Sequence, residues 1–177
     1  MYKLREIERK DLDAISRWRN DSSLISFLGA PFRFINFEVE TKWYENYMTN
    51  RDSAIRCAIV EQEKNEILGL ISLTSIDPIH RSAELHIMIG NTKNQGKGIG
   101  TFAVTAMLQH GFSNLNLNRI ELTVLESNLR AQHLYEKCGF VKEGFKRESN
   151  FKNGKYVGMY FYSILRKEYY QSKQETP

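Results

Sequence analysis

Apolar residues recur along this chain in two rhythms, and the order in which the rhythms alternate sets out its architecture. Tyr2 to Ile7 reads as a short first strand. Leu12, Ile15 and Trp18 then repeat at three-residue spacing, one face of a helix beginning near Asp11. Gly29-Ala30-Pro31 breaks the pattern. Val39, Trp43 and Tyr47, with Tyr44 and Met48, predict a second amphipathic helix at i, i+4 spacing. Ala54 to Val60 is β-prone and mostly apolar. The polar turn Gln62 to Asn65 follows, and Glu66 to Ile76 reads as the hairpin partner, ended by Asp77-Pro78.

Ser82 to Gly90 predicts the next strand, with Leu85, Ile87 and Ile89 on one face and Glu84, His86 and Met88 on the other. A glycine-rich turn, Gln95 to Gly100, precedes a helix over Thr101 to Phe112. Arg119 to Leu125 alternates as a strand through Ile120, Leu122 and Val124. Ser127-Asn128 can cap a helix that runs through Lys137 and stops at Gly139. Phe140 to Phe151 and Tyr156 to Leu165 are two strands joined across Asn153-Gly154, since both turn residues tolerate positive φ. The order β-α-α-β-β-β-α-β-α-β-β combines hairpins with strand-helix-strand units. It predicts an α/β (α+β mixed) layer fold, a mixed sheet with helices on its faces. We expect one domain over residues 1–170 and a frayed polar tail over 171–177.

Composition narrows the class. At 177 residues, 41% hydrophobic and 26% charged, the chain can bury a core, which excludes a disordered polymer. No apolar run approaches the roughly 18 residues of a membrane span, and the N-terminus lacks a signal-peptide apolar segment, so the expected setting is the cytoplasm with no membrane partner. A net charge of +4 with interspersed signs does not call for nucleic acid; it suits an anionic small ligand equally well. Cys57 and Cys138 form no metal or disulfide pattern and read as inert thiols. His80, His86, His110 and His133 do not fall at metal-ligand spacing, so no metal is expected.

The chemistry starts at the glycine-rich turn. A strand, then Gln95-Gly96-Lys97-Gly98-Ile99-Gly100, then a helix is a phosphate-cradle arrangement. Glycines let the main chain approach an anion, and the first helical N–H groups and the macrodipole favour negative charge. A P-loop needs Ser or Thr after Gly-Lys, whereas Gly98 follows Lys97. A dinucleotide fingerprint has the spacing G-x-G-x-x-G near the first strand; here it is G-x-G-x-G after several strands. A tight turn without a ligand would use the same glycines.

Two motifs together resemble the GNAT superfamily of N-acetyltransferases. The turn matches its Q/R-x-x-G-x-G/A signature, and Asn128 to Phe140 is similar to its N-x-x-A-x-x-x-Y-x-K-x-G-F pattern at the expected distance. The order of elements agrees over nearly the whole chain. His80-Arg81-Ser82-Ala83-Glu84 and Phe151 to Tyr156 resemble the branch containing spermidine and ribosomal-protein N-terminal acetyltransferases. The resemblance implies a three-layer fold with a central, mostly antiparallel twisted sheet. It implies a pyrophosphate of acetyl-CoA held by main-chain N–H groups of Gln95, Gly96, Lys97, Gly98, Ile99 and Gly100. It implies pantetheine bonded to the backbone of Ile87, Met88 and Ile89, where the strand splays from its neighbour at a bulge, with one amide polarising the thioester carbonyl. Asn128 matches a cofactor-contacting Asn and is equally suited to cap its helix. Tyr135 matches the general acid toward the leaving thiolate; a core-packed tyrosine is the structural alternative. Glu84 matches an active-site glutamate that would accept the proton of an ammonium through water, or else a surface carboxylate paired with Arg81. His86 shares that face and could relay a proton.

The implied reaction is direct attack by a primary amine on acetyl-CoA, with a small polyamine-like acceptor and no acyl-enzyme. Amino-sugar and protein N-terminal acceptors stand as alternatives, because the region Phe27 to Glu40 is aromatic and carries Arg33 where spermidine enzymes are acidic, and Trp18-Arg19-Asn20 and Lys42-Trp43-Tyr44-Glu45 resemble enzymes of nucleotide-linked amino sugars. A non-catalytic acyl-CoA-binding module is the competing class. The aromatic content allows a homodimer.

Overall fold

A computed structural model describes residues 1–94 and 96–174. Among the described residues, seven strands form one sheet: β1 (Tyr2–Glu6), β2 (Ile55–Glu61), β3 (Ile67–Asp77), β4 (Ser82–Ile89), β5 (Arg119–Leu125), β6 (Val141–Lys152) and β7 (Lys155–Leu165). They lie in the order β1-β2-β3-β4-β5-β7-β6, and every neighbouring pair is antiparallel except β4–β5. The helices are α1 (Leu12–Arg19), α2 (Ser22–Ile25), α3 (Phe37–Thr49), α4 (Ile99–Gln109), α5 (Leu129–Lys137) and α6 (Arg166–Gln174).

Strand alternation sorts side chains onto two faces. Ile59, Ile71, Leu73, Ala83, Leu85, Ile120 and Leu122 meet Ala103, Val104, Met107 and Leu108 of α4 on one face. Ala58 and Val60 meet Ile7 and Tyr47, with Trp43 and Leu70 against them, on the other. This is the mixed, layered fold that the pattern predicts, with the mostly antiparallel sheet that the resemblance implies. Each fully buried Leu or Ile contributes about 1.5–3 kcal/mol. Between β6 and β7, Asn153 and Gly154 take φ of 49° and 79°, the positive pair expected of an Asn-Gly hairpin. Gly139 ends α5 at φ 92°. No helix of the described residues is long and apolar enough to cross a membrane.

Three expectations change. In α3 the buried stripe keeps Trp43, Tyr44 and Tyr47 as expected, but takes in Glu40 in place of Val39 and Met48. Val39 is 50% exposed and Met48 42%, whereas Glu40 is fully buried and its Oε2 lies 3.1 Å from Arg19 Nη1. A carboxylate neutralised by a distant guanidinium is invisible to hydrophobic periodicity. The short α2 was not anticipated; its local determinant is Asp21, whose Oδ1 accepts from the N–H groups of Ser23 and Leu24. The tail does not fray at Tyr170. Helix α6 continues to Gln174 because Tyr169 is buried against Phe112, ring centroids 4.9 Å apart; residues 175–177 lie outside the described residues.

Helix α1 meets the end of β4 at close range. A Cβ on Gly90 would fall 1.8 Å from Trp18 Cε2. Gly90→Ala therefore displaces a large ring and is expected to destabilise the fold by about 1–3 kcal/mol, read as a lower urea midpoint at unchanged m-value.

Candidate active site

β4 is the axis of the site. On one side it pairs with β3 along Glu84–Ile89. On the other it pairs with β5 only through Ser82, Ala83 and Glu84, opposite Arg119, Ile120 and Glu121. Beyond Glu84 the two parallel strands part, because β5 stays with β7 through Leu125 and β4 stays with β3. Leu85 to Ile89, including Ile87, Met88 and Ile89, thus have no ladder partner on the β5 side. That edge offers main-chain donors and acceptors to an extended guest. The expected bulge is not on this side of β4. The register shift falls between Thr74 and Asp77 on β3, where Ser75 has φ 51°.

The glycine-rich turn follows β4 directly. Gln95 lies outside the described residues. Gly96 and Gly98 take φ of 81° and 79°, the left-handed region that glycine enters without cost. Gly98 is the N-cap of α4, and the first bond inside the helix runs from Phe102 N–H to Gly98 O, 3.0 Å. The N–H groups of Ile99, Gly100 and Thr101 therefore lack intrahelical acceptors. Space lies in front of them: a Cβ on Gly98 would meet nothing within 4 Å. Three anchors fix the turn. Ile99 is buried, Gly100 lies so close to Leu134 that a Cβ would come within 3.0 Å of it, and the Lys97 carbonyl accepts from Tyr2 Oη. Lys97 Nζ donates to Asn94 Oδ1, 3.3 Å. The first turns of α4 and α5 contain no acidic residue. Open space, left-handed glycines and unpaired amides fit a diphosphate.

Asn128 caps α5. Its Oδ1 accepts from Ala131 N–H at 3.1 Å and its Nδ2 donates to Phe27 O at 3.0 Å. Tyr135 projects from α5 into the core, 6% exposed, its ring 5.8 Å from Phe140 and 6.4 Å from Tyr162. Burial, with the nearby Cys138, pushes its phenol well above the ordinary value, so Oη stays protonated.

Glu84 is the last β4 residue paired with β5, and stands where the strands separate. It points to the face opposite buried Ala83 and Leu85, with His86 Nε2 3.6 Å from its Oε2 and Thr74 Oγ1 3.0 Å from the same nitrogen. Arg81 does not pair with it; that guanidinium is spent on Asn116. Glu84 and the half-exposed Glu121 are register partners. Glu121 shares Arg119 with Glu143. Further along this face Arg56, Ser72 and His86 stand in register on β2, β3 and β4, and the guanidinium carbons of Arg19 and Arg56 lie 4.9 and 5.1 Å from the Trp43 ring. Neither cysteine is poised as a nucleophile. Burial pushes the Cys57 thiol up to about 11 and also raises Cys138. A cavity of about 330 Å³ lined by Asp77, Arg81 and Asn116 lies before the start of β4, at the opposite end from the turn.

Arg130 stands beside the turn, a neighbour that the sequence reading does not mark. Arg130 Nη2 would lie 3.7 Å from a Cβ on Gly96. Its place in the first turn of α5 is readable from the sequence, whereas its closeness to Gly96 is not.

Comparison with known proteins places the chain in a family. A family model described as an acetyltransferase (GNAT) domain matches residues 2–141. The chain is 36% identical over 167 residues to a spermidine N(1)-acetyltransferase of Vibrio cholerae, covering 94% of each chain. It is 32% identical over 176 residues to the spermidine N(1)-acetyltransferase of Escherichia coli K12, covering 99% of this chain and 91% of that one. The crystal structure of spermidine N-acetyltransferase from V. cholerae in complex with CoA and spermine superposes with a TM-score of 0.89 at 33% identity, covering 96% of this chain and 98% of the other.

Proposed function

Since the chain belongs to the GNAT family of acetyltransferases, we propose that it transfers the acetyl group of acetyl-CoA to a primary amine of a small polyamine-like molecule, by direct attack. The observation that carries this reading is the parting of β4 and β5 immediately upstream of a turn with open glycines and unpaired amides. A thioester presented along the free edge of Leu85–Ile89 would have its carbonyl polarised by a β4 amide. Acetyl-CoA supplies the activated acyl group; the chain supplies orientation and proton management.

A primary amine has a pKa near 10, so freeing its lone pair at pH 7 costs about 4 kcal/mol. Glu84 at the fork holds the ammonium and takes its proton, directly or through water, with His86 beside it to pass the proton outward. As the carbon–sulfur bond breaks, Tyr135 Oη, kept protonated by burial, donates to the emerging thiolate. The sum is balanced: the amine loses two protons over the reaction, one is returned to sulfur through Tyr135, and one leaves to solvent. Ion pairing with Arg119 engages Glu121, so the base at the fork is assigned to Glu84.

Glu84→Gln is expected to lower kcat/KM about 10- to 100-fold at pH 7. The deficit should shrink as pH rises toward the pKa of the amine, because the free base then no longer needs an acceptor for its proton. A deficit independent of pH would remove Glu84 as the base.

The stacked Arg19, Trp43 and Arg56 favour a second reading, an amino sugar linked to a nucleotide, whose diphosphate would meet these guanidinium groups. Thiol-release assays against spermidine, spermine, nucleotide-linked amino sugars and N-terminal peptides separate the two. Turnover of the polyamines is the expected outcome. CoA binding without turnover of any amine would leave a binding module in place of an enzyme.

A further inference from the structure

The segment between α1 and α3 is a loop with tied ends whose middle reaches across the fork. At its base Asn20 and Ile35 bond in both directions, Asn20 Nδ2 to Ile35 O at 2.8 Å and Ile35 N–H to Asn20 Oδ1 at 3.0 Å. Just before the loop, Trp18 packs against Gly90, the residue after the end of β4. The middle of the loop meets the strands beyond the fork. Phe27 O accepts from Asn128, shortly past the end of β5. A Cβ on Gly29 would come 3.0 Å from Met159 Cε, and Met159 is the register partner of Leu125 at the end of β5. Gly29 O accepts from Asn150 Nδ2 at 2.9 Å. Lys152 Nζ donates to Ile25 O at 3.2 Å and also to Ala30 O. The segment therefore runs from the end of one parting strand to the end of the other. Its side of the sheet is fixed as well. Tyr160 and Tyr162 of β7 pack with the α4 core, so Met159 points the opposite way. By register it shares that face with Leu125, Glu121 and Glu84.

We infer that Lys152 is a positioning residue for the amine acceptor: from the end of β6 it latches residues 25–30 across the fork, and the latched segment walls the space in which the amine meets the thioester on the Glu84 face. The inference rests on the acetyl-transfer reading and adds to it a residue that acts through main-chain carbonyls. An ammonium carries three donors, so one lysine holds two carbonyls at once, whereas an apolar side chain of the same length holds neither. Burial lowers the Lys152 pKa from its ordinary value, and the same partial desolvation strengthens its bonds to carbonyl oxygen. Leu24 and Ile25 are buried and the Asn20–Ile35 pair closes the base, so the fold stands without the latch. What the latch decides is where residues 26–30 lie relative to β5 and β7.

The test pairs steady-state kinetics of the full-length protein, with spermidine and acetyl-CoA as substrates, with amide hydrogen exchange. Lys152→Met keeps the aliphatic stem and loses the donors. It is expected to raise the KM for spermidine about 10-fold while the KM for acetyl-CoA and kcat stay within about twofold. Exchange should quicken at Phe27 and Leu28, whose N–H groups bond to Leu24 O and Ile25 O, and stay unchanged in β5. Lys152→Arg, which keeps the donors, should recover most of the loss. Asn150→Ala, which cuts one bond to the same segment, should shift the spermidine KM the same way by less. Faster exchange in Lys152→Met with an unchanged spermidine KM would show a latch that does not serve the acceptor, and would overturn the inference. Unchanged exchange would overturn it too, as would equal rises in both KM values with a lower melting temperature, the mark of a structural role alone. Wild-type protein that turned over no amine would sink the acetyl-transfer reading, and the inference with it, whatever the exchange showed.

Discussion

Tyr135→Phe is expected to lower kcat about 100-fold or more while leaving the KM for acetyl-CoA and the melting temperature nearly unchanged. The substitution removes one oxygen and keeps the ring that packs on Phe140 and Tyr162. A core role for the ring would therefore survive, and only chemistry at Oη is lost. Sign matters here. Burial raises the phenol, making it a poorer acid in the resting enzyme but guaranteeing that the hydrogen is present throughout the working pH range. Under the proposed mechanism its contribution would be a charge-assisted hydrogen bond that strengthens as negative charge collects on sulfur. The rate profile of the wild type should consequently show no alkaline limb from Tyr135. Retention of full kcat in the Phe variant would show that protonation of the thiolate proceeds without this residue.

The second large effect is at the turn. Gly98→Val should weaken CoA binding at least 100-fold by calorimetry, with far-ultraviolet circular dichroism unchanged. Two causes add. A β-branched residue at φ 79° is strained by about 1–3 kcal/mol, and its side chain projects into the space where a phosphate oxygen must approach the N–H groups of α4. Because a Cβ there meets no protein atom within 4 Å, the fold itself is not obstructed. Gly98→Ala, with the same backbone penalty and less bulk, separates strain from blockage. Undiminished affinity in the Val variant would show that the anion lies elsewhere.

Most of the architecture was legible because it follows from local rules. Period-two alternation marks β4 and β5 and assigns Glu84 to the face opposite Leu85. Asn-Gly marked the β6–β7 turn, and Gly139 marked the end of α5. The parts that were not legible depend on partners distant in sequence. Buried Glu40 requires Arg19, 21 residues earlier, and α6 requires the pairing of Tyr169 with Phe112. In the candidate site, the turn, Tyr135 and Glu84 could be proposed from motifs, whereas the closeness of Arg130 to Gly96 depends on how α5 lies beside α4. The Arg81 partner for Glu84 failed for the same kind of reason: Asn116, distant in sequence, accepts from Nε and Nη2 of that guanidinium.

Only three residue pairs join β4 to β5. The sheet is in effect two leaves, β1–β4 and β5–β7–β6, on a short spine. A guest lying in the gap would bond to the folded chain and to nothing in the unfolded one, so occupancy adds RT ln(1 + [L]/Kd) to the stability, about 2.7 kcal/mol at a hundred times Kd. The gain should concentrate at the spine, slowing amide exchange in Leu85–Ile89 and in β5 more than in β1 or α6. Cells rich in the ligand would then hold this protein in a more proteolysis-resistant state than cells depleted of it.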